Sequence, residues 1–221
     1  MIIIGHRGAA GLAPENTIAA IEAGLAAGAD AIEIDIRIAA DGTPVLSHDE
    51  FIIGQDGQRL LIRKCNYIDL QAHKPDLASL TQAIRIIKRA KPLLIEIKRG
   101  EPVDVLIAFL QGYLHNGYQP SDFAVLSFDQ SALRAVHHAL PELPLVVNDS
   151  WSGVRARLRA DELGTKRINM NARWLWGGFI RATHHAGYQL APYTIDDPAR
   201  VRSWSPYLYG VITNHPERFG E

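Results

Sequence analysis

Short apolar runs recur along the chain at intervals long enough to hold a helix: Ile2 to Ile4, Ala31 to Ile36, Leu93 to Ile97, Phe123 to Leu126, Leu145 to Val147, Ile168 to Met170, Gln189 to Tyr193 and Val211 to Ile212. Runs this short, with little polar alternation, predict strands buried on both faces. Segments 14–27, 78–90, 102–116, 129–139, 152–163, 174–186 and 198–204 between them have helical composition or periodicity, and Pro14, Pro102 and Pro198 stand where first turns are expected. This βα rhythm over 221 residues predicts an α/β fold, a lean and somewhat irregular (β/α)8 TIM barrel, with a doubly wound sheet as the competing arrangement.

Two places break the rhythm. Asp41-Gly42 is a tight-turn signal that makes Ile34 to Ile38 and Pro44 to Ser47 read as an antiparallel hairpin. The stretch from Glu50 to Asp76 lacks a clear βα period, so residues 49–77 are expected as a short insertion after the third strand, above the barrel mouth, where insertions shape substrate access. No repeat, low-complexity tract or linker divides the rest, and one domain over 1–221 is expected.

Composition narrows the function classes. Lys+Arg of 23 against Asp+Glu of 24 gives a formal net charge of -1, so no global basic field draws nucleic acid, and an anionic substrate has to be captured locally. Cys65 is the only cysteine, which excludes an internal disulfide framework and a cysteine-rich zinc site. With no leader-like start and no apolar stretch of membrane-spanning length, a cytoplasmic protein without integral membrane segments is expected. The pairs His137-His138 and His184-His185 fall late in predicted helices and read as surface cations near C-terminal dipoles.

Charged residues inside or at the ends of the apolar strands are the candidate chemistry. Glu33 and Asp35 are two apart on one strand, so their side chains share a face, the interior in a barrel. Paired carboxylates repel unless a cation or proton lies between them, and hard divalent ions prefer oxygen ligands, so both read as metal ligands. Glu96 and Lys98 repeat the spacing: Glu96 completes a three-carboxylate set and Lys98 offers a point charge for phosphate, with a structural ion pair as the competing reading. His6 and His48 end strands rather than helices and suit a general acid and a general base. Arg7 offers a planar donor fork for phosphate oxygens, and Asp49 either orients the His48 imidazole or caps the following loop.

Taken together, His6-Arg7-Gly8, Pro14-Glu15-Asn16-Thr17, Glu33-Ile34-Asp35, Asp41-Gly42, His48-Asp49, Glu96-Ile97-Lys98, Ser127-Phe128 and Gly210-Val211-Ile212-Thr213 resemble the glycerophosphodiester phosphodiesterase family in order and spacing across nearly the whole chain. The resemblance implies a barrel related to the phosphatidylinositol phospholipase C fold. It also implies hydrolysis of small-molecule glycerophosphodiesters to glycerol 3-phosphate and an alcohol, with Mg²⁺ or Ca²⁺ as cofactor. His6 and His48 would exchange protons, the glycerol 2-hydroxyl would attack first to give a cyclic phosphate, and Glu33, Asp35 and Glu96 would hold the metal. Arg7 and Lys98 would contact phosphate, Asn16 would lie on the substrate side, and Phe128 and Tyr193, with Trp174 and Trp176 as weaker candidates, would wall the glycerol or the leaving group.

The chain departs from the family pattern in three places. Glu50-Phe51-Ile52-Ile53-Gly54 replaces an Arg and a Thr-rich turn, Tyr193-Thr194 stands where Trp-Thr is frequent, and Thr213-Asn214 where Thr-Asp is common. The Phe51-Ile52-Ile53 patch leaves open a lysophospholipase D-type activity on lipid substrates, and a reduced lid leaves open a phosphate-binding barrel without catalysis.

Overall fold

The computed structural model describes residues 1–220. Eight parallel strands run in the spatial order β10-β9-β8-β7-β6-β2-β1-β11: β1 (Ile2–Gly5), β2 (Ala31–Ile38), β6 (Leu93–Ile97), β7 (Phe123–Ser127), β8 (Leu145–Asp149), β9 (Arg167–Asn171), β10 (Gln189–Tyr193) and β11 (Gly210–Thr213). The first and last strands are neighbours, Ile2 pairing with Gly210 and Gly5 with Thr213. Between β10 and β11 the ring closes through isolated backbone bonds, Tyr209 N–H to Leu190 O and Ile195 N–H to Ile212 O, both 3.0 Å, rather than a ladder. This is the expected (β/α)8 barrel, and the doubly wound arrangement is excluded by the neighbouring of β1 and β11.

Helices α1 (Ile18–Ala26), α3 (Leu80–Ile87), α4 (Val103–His115), α5 (Gln130–Ala139), α6 (Gly153–Glu162) and α7 (Gly177–His185) cover the outside, with a single turn, α8 (Pro198–Val201), before β11. Strand parity produces two cores. Ile32, Ile34 and Ile36 on β2, with Ile95 and Ile97 on β6, face the helices, whereas Ile4, Ala31, Leu94, Ala124, Leu126, Val146, Ala191 and Ile212 fill the barrel interior. Slipping β2 by one residue would exchange its three isoleucines for Glu33 and Asp35; at roughly 1.5–3 kcal/mol per buried isoleucine, apolar burial alone fixes the register.

The expected hairpin is present: β3 (Pro44–Leu46) pairs antiparallel with β2, Ile36 opposite Leu46, around a turn in which Gly42 takes φ 81. Residues expected above the mouth form a small hairpin, β4 (Phe51–Ile53) with β5 (Arg59–Leu61), followed by α2 (Tyr67–His73). This unit packs beside β3 over its own core of Ala39, Val45, Ile52, Ile62, Leu70 and Leu77.

One helix start differs from expectation. Residues 14–16 are not helical; α1 begins at Ile18 behind Thr17, whose hydroxyl accepts the Ala20 N–H at 3.2 Å. The cause is Asn16, which is held at φ 56 with its N–H donating to Arg7 O, so the Pro-Glu-Asn-Thr segment folds as a turn against the strand end. Among the described residues no helix is long and apolar enough to cross a membrane.

Candidate active site

The interior of the barrel changes character along its axis. At the N-terminal end the inward positions are mostly apolar or small, with the Arg167–Gln189 pair at the rim, and towards the C-terminal ends they become His6, Glu33 and Asp35, Glu96 and Lys98, Phe128, Asn148 and Ser150, Asn169 and Tyr193, which line a cavity of about 170 Å³. Most strands therefore deliver polar side chains to the same end by continuing their two-residue alternation past the apolar plug.

The His-Arg-Gly turn is built to bring backbone donors over the carboxylates. Arg7 sits at φ 51 and Gly8 at φ 91, both in the left-handed region, so consecutive N–H groups aim at β2: Arg7 N–H donates to Glu33 Oε2 at 3.0 Å and Gly8 N–H to Glu33 O at 2.9 Å. A methyl group on Gly8 would lie 2.5 Å from the Ala20 carbonyl carbon, so α1 can approach only a glycine here. The Arg7 guanidinium bonds Glu15 through Nη1 at 2.7 Å, and its Nε lies 3.2 Å from Asp35 Oδ2.

Glu33, Asp35 and Glu96 are all buried, and one oxygen of each lies within 4.8 Å of the others. Asp35 and Glu96 are register partners across β2 and β6, so their proximity is set by the ladder rather than by rotamer choice. Lys98 reaches both, donating to Glu96 and pairing with Asp35. Burial pushes the Glu33 carboxyl well up, with Asp35 and Glu96 adding to the shift. Burial acts in the same direction on Asp35 but is outweighed by Lys98 and Arg7, which leave that carboxyl below its usual range. Glu96 is raised, mainly by burial and against the pull of Lys98. Three hard oxygen donors, one lacking a neutralising side-chain partner, fit a divalent cation of the Mg²⁺ or Ca²⁺ type.

Each histidine is fixed through Nδ1. His6 Nδ1 is 2.7 Å from Asn214 Oδ1. Asn214 gives its Nδ2 hydrogen to Asp196 Oδ2 at 2.9 Å, and Asp196 also accepts from the Asn214 N–H and the Thr213 hydroxyl. The amide orientation follows from the carboxylate: Oδ1 must face the histidine, so Nδ1 carries the proton and Nε2 keeps its lone pair. Burial lowers the His6 pKa, partly offset by the Asn214 bond. His48 Nδ1 is 2.8 Å from Asp49 Oδ1, with 43% of its side-chain surface exposed. Its carbonyl receives Arg37 Nη2 at 3.0 Å, and Arg37 is anchored in turn by Glu101.

Of the residues singled out from the sequence, His6, Arg7, Glu33, Asp35, His48, Glu96, Lys98, Phe128 and Tyr193 share the cavity lining. Phe128 and Tyr193 meet edge to face with ring centroids 6.2 Å apart, and burial raises the Tyr193 phenol to about 12. Asn16, expected on the substrate side, is buried; its amide donates to Asp35 Oδ2 and accepts the Asp35 N–H, both at 3.0 Å. Trp174 and Trp176 are exposed and outside this lining.

Sequence reasoning missed Asn148, which donates to Glu96 Oε2 at 2.8 Å, and Asn169, which donates to Asn148 at 3.1 Å. It also missed Arg37 and Asp196. For Asn148, Asn169 and Arg37 the signal was present: each is a polar residue at an inward position of a largely buried strand. Asp196 lies past the end of β10, where no periodicity marks it.

The sequence profile of the Glycerophosphoryl diester phosphodiesterase family matches residues 6–218. A glycerophosphodiester phosphodiesterase of Bacillus altitudinis is 38% identical over 98% of this chain and 95% of its own length. Another, from Bacillus subtilis, is 24% identical over 99% of this chain and 85% of its own length. Among solved structures, a phosphodiesterase from Oleispira antarctica in complex with the product sn-glycerol-3-phosphate superposes with a TM-score of 0.85 at 24% identity, covering 99% of this chain and 94% of that one, a likeness of fold.

Proposed function

Because this chain belongs to the glycerophosphoryl diester phosphodiesterase family, we propose that it is a glycerophosphodiester phosphodiesterase that releases glycerol 3-phosphate by metal-dependent, two-histidine acid–base catalysis. The observation that carries the mechanism is the convergence of His6, His48 and the Glu33–Asp35–Glu96 cluster on one small cavity. Glu33, Asp35 and Glu96 are the residues that would hold the metal, Mg²⁺ or Ca²⁺. When bound, the ion supplies charge stabilisation to the phosphoryl oxygens.

The geometry of the histidines suggests the direction of proton flow. His6 offers a neutral Nε2 lone pair, so it takes the proton from the attacking hydroxyl, the glycerol 2-hydroxyl if the reaction passes through a cyclic phosphate. The oxygen–phosphorus bond forms as the bond to the alcohol breaks. His48, open to solvent and held by Asp49 through Nδ1, protonates the departing alkoxide. Opening of the cyclic ester by water reverses the two roles. Arg7 and Lys98, now satisfied by carboxylates, shift towards the phosphate as a dianionic character develops on its oxygens. Asn16 holds Asp35 in place through both of its amide atoms, and Phe128 with Tyr193 supplies an apolar wall beside the ester.

The lipid-substrate reading has less support. Phe51 lies beneath Arg59, the guanidinium carbon 3.5 Å from its ring centre, and Ile52 is buried in the small lateral core. Neither is presented to the cavity. Chelator-stripped protein incubated with glycerophosphocholine and glycerophosphoethanolamine, with Mg²⁺ or Ca²⁺ restored, is expected to release glycerol 3-phosphate, and His6→Ala and His48→Ala are expected to abolish release while retaining metal binding. Substantial turnover by either variant removes that histidine from the mechanism; binding of the diester without product favours a silent phosphate-binding barrel.

A further inference from the structure

A second hollow of about 870 Å³ opens beside the catalytic cavity and shares His48, Glu96, Lys98, Phe128 and Ser150 with it. Its size is in the range of small-molecule sites. Its outer wall is made by Arg99, just past the end of β6, and by Arg155 and Arg159 along α6.

The charges on this wall do not balance. Arg159, with only 14% of its side chain exposed, gives its guanidinium to neutral acceptors: Gln130 Oε1 at 2.9 Å, Asn148 O at 3.0 Å and Phe128 O at 3.0 Å. The nearest carboxylate, Asp149 at 3.7 Å, is already engaged by Arg155 through two bonds of 2.7 and 2.8 Å. Arg99, exposed directly after Lys98, makes no ion pair among the described residues. The other carboxylate on the wall, Asp129, is occupied in capping α5 through Ser131 N–H and Oγ. Two guanidinium groups therefore lack a carboxylate of their own. At the outer rim Trp151 is 70% exposed, its ring 5.2 Å from that of Trp174, and adds a flat apolar ledge.

Resting on the phosphodiesterase reading above, we propose that this hollow receives the leaving alcohol and selects glycerophosphodiesters whose alcohol carries an anionic group of its own, a carboxylate or a phosphate, with Arg99 as the contacting residue. A guanidinium fork matches either anion, and Arg159 keeps the field behind it positive. The same wall disfavours a quaternary ammonium, which is recognised by aromatic faces on several sides, whereas here four guanidinium groups, those of Arg37, Arg99, Arg155 and Arg159, line the space, with Phe128 and Trp151 as its large aromatic members.

Matched substrates isolate the anion. Glycerophosphoserine differs from glycerophosphoethanolamine by one carboxylate, and glycerophosphoinositol phosphate from glycerophosphoinositol by one phosphate. The anionic member of a pair is expected to show about tenfold higher kcat/KM, expressed in KM, with the advantage shrinking between about 0.05 and 0.5 M salt because Arg99 is exposed to screening. Preference in one pair alone identifies which anion is read. Arg99→Ala is expected to bring the ratio close to one, Arg99→Glu to invert it and Arg99→Lys to keep part of it; as the side chain is exposed, unchanged melting temperatures should accompany these effects. Hydrolysis of all four substrates with a ratio at or below one, or a ratio insensitive to Arg99→Ala and Arg99→Glu, overturns the proposal and leaves the phosphodiesterase reading standing. Hydrolysis of none overturns that reading and the proposal with it.

Discussion

Asn214 presents its carbonyl oxygen to His6 Nδ1 at 2.7 Å because its amide nitrogen is committed to Asp196. The carboxylate thus sets the imidazole tautomer through an intervening amide. Asp196→Asn offers both a donor and an acceptor, so the Asn214 amide is free to rotate and the tautomer is no longer dictated. We expect kcat to fall about 10³-fold, in line with tautomer inversion in catalytic dyads, with metal binding retained. Ring ¹⁵N chemical shifts should show His6 moving from the Nδ1–H to the Nε2–H form; an unchanged tautomer with reduced activity contradicts this role.

Burial lowers the His6 pKa below its ordinary 6.5, so the free base persists into mildly acidic solution. The acid limb of kcat/KM should have its midpoint below 6.5 in metal-saturated enzyme. The linkage sign is that of a depressed group: its contribution to stability is present above the unfolded pKa and is lost as pH falls through the folded one. Urea titrations from pH 7.5 downward should show a decline through this window that His6→Gln reduces.

Glu33 has no neutralising side chain of its own in the acidic cluster, so added cation should stabilise the native state. Differential scanning of chelator-stripped protein is expected to show a rise in melting temperature with Mg²⁺ or Ca²⁺, corresponding to about 2.7 kcal/mol at a hundred times Kd. Glu33→Gln should weaken the response without lowering the melting temperature of the metal-free protein. No response to either ion contradicts the metal assignment.

Gly8→Ala places a methyl group against the backbone of α1 at a positive φ. A loss of about 2–4 kcal/mol is expected from overpacking and left-handed strain together. Because the same turn aims the Arg7 N–H at Glu33, activity should fall further than the folded fraction does.

Arg37 carries no chemistry but holds the His48 carbonyl with Nε and Nη2 while Glu101 holds Arg37. Arg37→Ala is expected to reduce kcat about 10²-fold through misplacement of His48. Arg37→Lys, lacking the planar fork, should recover little of it. Full activity in Arg37→Ala would show that the His48 loop is positioned by other contacts.

The elements legible in the sequence were those in which one residue decides the local choice. Ile32, Ile34 and Ile36 alternating with Glu33 and Asp35 announced both the strand and its inward face, and Asp41-Gly42 announced the hairpin. Pro14 misled: proline suits a first turn, but the bonds Asn16 makes to Arg7 and Asp35 hold the backbone outside helical space. Contacts such as Asn214 with Asp196, or Arg37 with Glu101, were not legible because they join separate strand ends whose relative height depends on barrel stagger. Asn148 and Asn169 lay within reach of the same parity argument that found Glu33 and Asp35, since an amide on a buried strand obeys the same alternation.

The neighbouring of β1 and β11 has a consequence for how the protein is made. His6 is synthesised well before the partner that orients it, which lies 208 positions later, and the seam beside β10 cannot close until β11 has been made. A chain interrupted between Lys98 and Asn214 therefore has both histidines and all three carboxylates but neither a closed ring nor an oriented His6. With His6 as the proposed base, phosphodiester cleavage waits on the synthesis of β11, so the order of translation separates the making of the carboxylate cluster from the start of catalysis.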